Sequence, residues 1–132
     1  MLNKTHHWLV RASGGRIGWR AGGMPVVELI TVGRKTGLRR SVMLTSPVQE
    51  GDTWVLVAGA DHDPGWLCNL RERPEVEVSR RGRPNEKVHA RVAGPDERAH
   101  LWPLVTAKYK GYIKHQASTD RVIPLVLLEP LP

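Results

Sequence analysis

Four cationic side chains gather around one short turn, and their types suit the binding of an anion. Residues 33–37 (GRKTG) form a glycine-bounded turn between two runs rich in Val, Leu, Ile and Thr, which is the pattern of a β-hairpin. Arg34 and Lys35 lie in the turn, and Arg39 and Arg40 follow it. Guanidinium and ammonium groups make charge-assisted hydrogen bonds to phosphate and carboxylate oxygens, and the glycines allow backbone N–H groups to face a ligand. The turn is therefore a candidate anion clamp, and the alternative is a solvated hairpin tip whose charge serves only solubility.

The spacing of this turn excludes the two common phosphate-binding loops. A Walker loop has four residues between its glycines and then opens a helix, whereas here three residues intervene and a strand follows. The dinucleotide-binding fingerprint lacks cations and also precedes a helix. An anion at this turn would therefore be met mainly by side-chain charge rather than by a helix dipole.

The length, charge and cysteine content of the chain limit the classes of protein to which it can belong. The 132 residues suit one domain, residues 1–132, with a single hydrophobic core. A formal net charge of +7 favours an acidic partner: nucleic acid, an anionic membrane surface or a polyanionic small molecule. The one cysteine, Cys68, excludes an internal disulfide bond and a cysteine-rich zinc site. No apolar run has the length of a membrane span and no signal-peptide pattern opens the chain, so the expected compartment is the cytoplasm.

Apolar periodicity predicts six β-strands. They are residues 26–32, 40–48, 53–58, 75–79, 86–92 and 122–128. The third of these (TWVLVA) is apolar on both faces, as expected of a central strand that is covered on both sides. Pro124 predicts an edge or bulge position for the last strand.

Helices are predicted before and between these strands. A short helix over residues 3–11 and a glycine-rich lead-in to residue 23 precede the first strand. Another helix spans residues 66–73, between two prolines. A later helix is interrupted by Pro103, where a kink or a new helix is expected, and it ends at about residue 110. The sequence therefore predicts a mainly β, α+β architecture: a small antiparallel barrel or sandwich with peripheral helices.

Three stretches taken together resemble one family, the deazaflavin (coenzyme F-420)-dependent nitroreductases. They are residues 30–40 (ITVGRKTGLRR), 63–78 (DPGWLCNLRERPEVEV) and 102–128 (WPLVTAKYKGYIKHQASTDRVIPLVLL), and they follow the family's order. The resemblance implies an antiparallel six-stranded split β-barrel, similar to the FMN-binding split barrels. It also implies the use of coenzyme F-420, an 8-hydroxy-5-deazaflavin with a phosphate and a glutamate tail. That polyanion is a ligand of the kind a cationic turn could hold.

The resemblance also implies which residues contact the cofactor. Arg34, Lys35 and Arg40 are assigned to its phosphate or tail, and Arg39 is added from charge and position, since family members often carry Pro there. The deazaflavin ring is implied to lie against the loop after the third predicted strand, which is shorter and more acidic here than usual. Trp66 matches a family tryptophan near the ring, and its alternative role is to anchor its helix in the core. The cofactor-binding residues are thus Arg34, Lys35, Thr36, Arg39, Arg40, Ala58, Gly59, Ala60, Asp61, His62 and Trp66.

Three further positions are implied to carry catalysis. Tyr109 and Tyr112 match tyrosines on the family's substrate side, and His115 stands where the pattern has a third tyrosine. A Tyr hydroxyl or a protonated His could hydrogen-bond the negative charge that develops on an acceptor, or deliver a proton to it. The alternative for His115 is a solvent-facing residue without a catalytic role.

The expected function is that of an oxidoreductase. It would transfer a hydride from reduced coenzyme F-420 to a small electrophilic acceptor, namely a quinone, an enone or a nitro compound. No protein nucleophile is needed for that reaction, because the cofactor carries the chemistry and the protein orients it. A homodimer and a peripheral membrane contact through Trp8 are left open.

Two alternative functions compete with this hypothesis. An FMN- or haem-binding protein would share the fold, but FMN carries a single phosphate and would need fewer cations. A basic nucleic-acid-binding module could use Arg80, Arg81 and Arg83. No base-stacking aromatic residues are interleaved with these arginines, so no nucleic acid is expected as a partner.

Overall fold

The computed structural model describes residues 20–21, 23–59, 62–81 and 83–132, and within them the chain forms eight strands and three helices. In chain order these are β1 (Arg20–Ala21), β2 (Met24–Val32), β3 (Arg39–Thr45), β4 (Val48–Glu50), β5 (Thr53–Val57), α1 (Gly65–Glu72), β6 (Glu75–Arg80), β7 (Glu86–Val92), α2 (Pro95–Lys108), α3 (Gly111–Ala117) and β8 (Leu125–Pro130). The predicted helix over residues 3–11 lies outside the described residues.

The strands form one antiparallel sheet that places the basic turn at its margin. Its order is β1-β2-β6-β7-β8-β5-β4, and β3 pairs with β2 outside this path. β2 and β3 form the predicted hairpin, with Val32 opposite Arg39 and Thr31 opposite Arg40. β6 and β7 form the second predicted hairpin. The mainly β architecture with peripheral helices is confirmed, whereas the predicted number of six strands is too low.

The predicted strand over residues 40–48 is in fact two strands. β3 ends at Thr45, and the buried Ser46 places its Oγ 2.8 Å from the carbonyl oxygen of Val55 and 3.0 Å from that of Val48. Pro47 follows and has no N–H with which to continue a ladder. The chain therefore leaves β2 at this point and pairs with β5 as β4.

The last strand begins later than predicted and lies inside the sheet. β8 starts at Leu125 and is paired with both β5 and β7, so the predicted edge position is wrong. Pro124 precedes the first paired residue, where its missing N–H costs no ladder hydrogen bond. Its carbonyl oxygen instead accepts a hydrogen bond from the Ala58 N–H at 3.0 Å.

The core lies on both faces of β5, as its sequence predicts. Leu56 belongs to the larger buried cluster, which includes Leu67 and Leu70 of α1. Val55 belongs to a smaller cluster with Leu101 of α2. Because adjacent residues of a strand point to opposite faces, β5 and β8 supply side chains to both clusters.

α2 runs through Pro103 as one helix, so the new helix expected at this proline is wrong. Leu101 and Val105 are buried on either side of it, and their packing on the sheet holds the helix together despite the lost backbone hydrogen bond. The next helix, α3, begins at Gly111. Among the described residues, no helix has both the length and the apolar character to cross a bilayer.

Candidate active site

The turn between β2 and β3 is closed by its own backbone. The Gly33 N–H donates to the Leu38 carbonyl oxygen at 2.7 Å, and the Gly37 N–H donates to the Gly33 carbonyl oxygen at 2.8 Å. Gly37 has φ +73°, a left-handed conformation that favours glycine. The N–H groups of Gly33 and Gly37 are therefore used within the turn, and the expectation that other backbone N–H groups of the turn face a ligand stays a prediction. The exposed side chains of Arg34 and Lys35 remain as the groups that can meet an anion.

Asn69 of α1 holds the turn in place. Its Oδ1 accepts hydrogen bonds from the Arg34 backbone N–H at 3.2 Å and from Arg34 Nη1 at 2.9 Å. Its Nδ2 donates to Thr31 Oγ1 at 3.1 Å, and both Asn69 and Thr31 are buried. A buried amide of this kind needs partners for its donor and its acceptor. Asn69 therefore positions Arg34, a role that the sequence patterns did not assign, although Asn69 lies within residues 63–78.

A groove of about 380 Å³ lies between this turn, the start of β3 and α1. Its lining includes Arg34, Lys35 and Arg40, and among the described residues that line it there is no Asp or Glu. Three cations without a carboxylate make the groove a site of positive potential. Thr36 and Trp66 also line it, so the structure brings five of the predicted cofactor-binding residues together.

Trp66 links this groove to the core. It lines the groove and packs, partly buried, against the larger hydrophobic cluster. Its position is therefore compatible with both roles considered from the sequence, a place near the cofactor ring and an anchor of its helix in the core. A ring in that position is held by packing and can offer a flat apolar surface to a ligand.

Arg39 is not brought to the groove. Its Nη2 lies 3.1 Å from Glu77 Oε2 of β6, and it lines a second cavity with Glu28, Ile30 and Asn85. Arg40 borders both cavities, whereas Arg39 lines only the second of the two.

A second group of predicted residues meets at α3. Ala58 is buried in the larger cluster, and the next residue, Gly59, lies against His115: a Cβ added at Gly59 would be 3.4 Å from His115 Cε1. His62 is exposed, and Ala60 and Asp61 lie outside the described residues. The loop implied to contact the ring is thus adjacent to one of the residues implied to act on the substrate.

Tyr112 is the more buried of the two tyrosines. Its ring packs against the smaller core cluster, and its hydroxyl is hydrogen-bonded to the Thr45 side chain at the end of β3. Burial raises the pKa of Tyr112 above its ordinary value, so the phenol is neutral at physiological pH and retains its proton. Tyr109 is exposed, and its ring meets that of Tyr112 edge to face at a centroid distance of 5.1 Å.

The two groups of residues lie at opposite ends of β3. Arg40 lines the cationic groove at one end, and Thr45 contacts Tyr112 at the other. Five residue steps of a strand separate them, which is about 17 Å at roughly 3.4 Å per residue. Because five is an odd number of steps, Arg40 and Thr45 point to opposite faces of β3, and the strand by itself does not join the two groups into one groove.

Comparison with known proteins identifies the family. A family model described as F420H(2)-dependent quinone reductase matches residues 2–130. The chain belongs to the F420H(2)-dependent quinone reductase family. An F420H(2)-dependent quinone reductase of Mycobacterium tuberculosis (strain ATCC 25618 / H37Rv) is 35% identical to it over 134 residues, covering 96% of this chain and 89% of that protein.

Solved structures support the same family. An F420-H2 dependent reductase is 34% identical to this chain, with a TM-score of 0.69 over 80% of this chain and 94% of the other. A second structure, described as a domain-swapped dimer, is 31% identical, with a TM-score of 0.69 over 93% of this chain and 98% of its own. The predicted split β-barrel and the resemblance to deazaflavin-dependent reductases are confirmed.

Family membership decides among the functions considered from the sequence. This member of the quinone reductase family is an oxidoreductase that uses coenzyme F-420. The residues present fit that cofactor, because its phosphate and tail carboxylates match a groove with three cations and no described acidic side chain. The FMN, haem and nucleic-acid alternatives lose their support. The roles of the individual site residues stay predictions.

Exchanging Asn69 for Asp should weaken binding of this family's cofactor. The substitution is nearly isosteric, but it places a carboxylate beside Arg34 Nη1, where Asn69 Oδ1 now lies at 2.9 Å. The new carboxylate competes with the anionic part of the cofactor for Arg34. We therefore expect the Kd to rise by about tenfold, which corresponds to the loss of one weak charge-assisted hydrogen bond. Quenching of deazaflavin fluorescence measures this. Gln49→Glu, which adds the same charge at an exposed residue outside the groove, is the control. An Asn69→Asp variant with wild-type affinity would show that Arg34 does not contact the cofactor.

Proposed function

We propose that this chain reduces a quinone with a hydride from reduced coenzyme F-420, and that Arg34, Lys35 and Arg40 hold the phosphate and glutamate tail. The observation that carries the proposal is the lining of the cationic groove. It combines three cations with the partly buried ring of Trp66 and, among the described residues, has no carboxylate. Such a lining suits a ligand with an anionic tail and a planar ring system.

The protein's part in the reaction is to orient, to exclude water and to stabilise charge. When bound, the reduced deazaflavin supplies a hydride from its C5 atom. Trp66 offers a flat, partly buried surface next to the groove, which limits the ways in which a planar molecule can lie there. The cations at the turn hold the molecule by its charged end, so their binding energy fixes the position of its distant end.

Tyr112 is the residue best suited to act on the acceptor. A quinone that accepts a hydride gains negative charge on an oxygen atom, and a neutral phenol can donate a hydrogen bond to it. The Tyr112 phenol is neutral at physiological pH, as any phenol of ordinary pKa is, and burial raises its pKa further, while the Thr45 side chain hydrogen-bonds it. His115, half-buried beside Gly59, is a candidate source of the proton that completes the hydroquinone.

Turnover with a panel of acceptors tests this function. Wild-type protein is mixed with reduced coenzyme F-420 and a quinone, an enone or a nitroaromatic compound, and recovery of the oxidised deazaflavin is followed by its fluorescence. We expect the highest kcat/KM with the quinones. Reduced FMN in place of the deazaflavin is the control and should give no turnover above the rate without protein. No turnover of reduced coenzyme F-420 with any acceptor would refute the proposal.

The homodimer and the membrane contact that the sequence left open have different support. A relative that is 31% identical is described as a domain-swapped dimer, which supports a test of oligomeric state by light scattering. The membrane contact would involve Trp8, which lies outside the described residues. Both stay open, and the cytoplasmic location stays a prediction.

A further inference from the structure

One arginine joins both ends of the loop that connects β5 to α1. Arg121 lies between α3 and β8, and its Nη1 donates to the Ala58 carbonyl oxygen at 3.0 Å. Its Nη2 donates to Asp63 Oδ1 at 2.7 Å. Ala58 begins the connection and Asp63 lies near its end, so a single planar guanidinium contacts one residue on each side of it. The Arg121 side chain is only 19% exposed, which strengthens these contacts relative to those on an open surface.

Arg121 is itself fastened to α3. The Gln116 Nε2 donates to the Arg121 carbonyl oxygen at 2.8 Å, and the Gln116 Oε1 accepts from the Ile123 N–H at 2.9 Å. The Thr119 Oγ1 also accepts from the Arg121 N–H at 3.3 Å. The backbone of Arg121 is therefore held by Gln116, on the same helix that carries Tyr112 and His115.

The loop and α3 are in close contact where the arginine joins them. A Cβ placed on Gly59 would lie 3.4 Å from His115 Cε1 and 3.5 Å from its Nδ1. A shift of the loop would therefore change the distance between the backbone at Gly59 and His115. The contacts of Arg121 with Ala58 and Asp63 join residues that are far apart in the chain. The family's reaction does not by itself require them.

We infer that Arg121 is a positioning residue for hydride transfer, which fixes the connection from Ala58 to Asp63 against α3. It thereby sets the spacing between the loop and the side chains of Tyr112 and His115. The inference rests on the proposed function, which places the acceptor at these side chains, and on the ring position at this loop that the family resemblance implies. A misplacement of about 1 Å at a reacting centre can lower a rate by roughly 100-fold, so such a residue acts without touching the substrate.

Arg71 supplies a matched control. It also pairs with Asp63, through the other carboxylate oxygen, but it lies on α1, and among the described contacts it does not reach Ala58 or α3. Arg121 and, to a lesser extent, Arg71 hold the pKa of Asp63 below its ordinary value. Asp63 is therefore ionised at neutral pH in the folded protein. Its contribution to stability is present above its pKa in the unfolded chain and is lost as the pH falls through the lowered value.

Three variants of the full chain test the inference: Arg121→Gln, Arg121→Lys and Arg71→Gln. For each we would measure the Kd of oxidised coenzyme F-420, the single-turnover rate of deazaflavin oxidation by a quinone, and amide hydrogen exchange of the loop without cofactor. We expect Arg121→Gln to lower the single-turnover rate by about 10- to 100-fold. Its Kd should stay within about threefold of the wild-type value, because the cationic groove supplies the charged contacts that dominate affinity. Loop exchange should become faster.

The other two variants separate positioning from general structure. Arg121→Lys keeps a charge for Asp63 but cannot span both ends of the loop, so its rate should lie between those of the wild type and Arg121→Gln. It also carries the test if Arg121→Gln fails to fold. Arg71→Gln should change the rate and the loop exchange by less than about twofold, as expected of an exposed ion pair.

The outcomes that contradict the inference are distinct from failure of the proposed function. Wild-type rates in both Arg121 variants would overturn it, and so would equal losses in rate and affinity, or an Arg71→Gln variant as slow as Arg121→Gln. A wild-type protein that transfers no hydride to any acceptor would instead refute the proposed function. If the wild type is active and amide hydrogen exchange of the loop is unchanged in Arg121→Gln, the inference is overturned and the proposed function stands.

Discussion

Replacing both Arg34 and Lys35 with Ala should raise the Kd of coenzyme F-420 by at least about 100-fold. A hydrogen bond to a charged group contributes about 1.5–3 kcal/mol, and about 1.4 kcal/mol corresponds to a factor of ten in affinity. Loss of two such contacts therefore amounts to two or more orders of magnitude. Both side chains line the cationic groove, and Arg40 alone would remain there to meet the tail.

The same double substitution should leave the thermal melt almost unchanged. Both side chains are exposed, and the Arg34 backbone N–H keeps its hydrogen bond to Asn69 when the side chain is removed. The Arg81→Ala, Arg83→Ala double variant is the control, since it removes the same charge from the exposed turn between β6 and β7. It should bind the cofactor with an affinity close to that of the wild type. If both double variants bound the cofactor equally weakly, the loss of affinity would be an effect of the protein's net charge and not of a clamp at the turn.

Tyr112→Phe should lower turnover by about 100- to 1,000-fold, the range expected when one hydrogen-bond donor to a developing charge is removed. The Kd of the cofactor should hardly change, because the ring of Tyr112 and its packing against the smaller cluster are retained. The neutral state of the phenol makes this prediction independent of pH over the physiological range. Steady-state kinetics with a quinone, together with a fluorescence titration, would measure both quantities.

Tyr109→Phe provides the comparison for this substitution. Tyr109 is 47% exposed, and its ring contacts that of Tyr112 edge to face, so loss of its hydroxyl should have the smaller effect on kcat. If Tyr112→Phe lost affinity and turnover in equal proportion, or lost thermal stability alone, Tyr112 would have a structural role instead.

Local patterns predicted the parts of this fold that depend on neighbouring residues. Apolar periodicity predicted a strand over residues 75–79, and β6 forms there with Val76 and Val78 buried. Continuous apolar character predicted that β5 is covered on both faces, and it separates two core clusters. The glycines of residues 33–37 predicted the hairpin that positions the cations. In each case the side-chain period or a backbone preference contains the information.

The errors came from single residues whose effect depends on the rest of the sheet. Ser46 and Pro47 divide one apolar run into β3 and β4, because the serine hydroxyl satisfies carbonyl oxygens that a continuous strand would have paired. Pro124 was expected to mark an edge or a bulge, but it is the last residue before β8, which is paired on both sides. A proline indicates where a ladder hydrogen bond is missing, but it does not distinguish these two positions.

The residues that position the candidate site were beyond the reach of local patterns. Asn69 meets Arg34 across a sequence separation of 35 residues, and Arg121 meets Asp63 across 58. Neither contact has a spacing that could be read along the chain. Both Asn69 and Arg121 lie in the stretches that carry the family resemblance. The resemblance therefore singled out these stretches but assigned no role to either residue.

The central claim is that the cations of one hairpin turn hold the acidic end of the cofactor. The most direct test compares two ligands, coenzyme F-420 and its chromophore without phosphate and glutamate tail, on the wild type and on the Arg34→Ala, Lys35→Ala variant. Fluorescence titration would give four dissociation constants. We expect the wild type to prefer the complete coenzyme by at least about 100-fold and the variant to lose most of that preference, because the coupling between tail and cations disappears. An undiminished preference in the variant would place the tail elsewhere on the protein and contradict the claim.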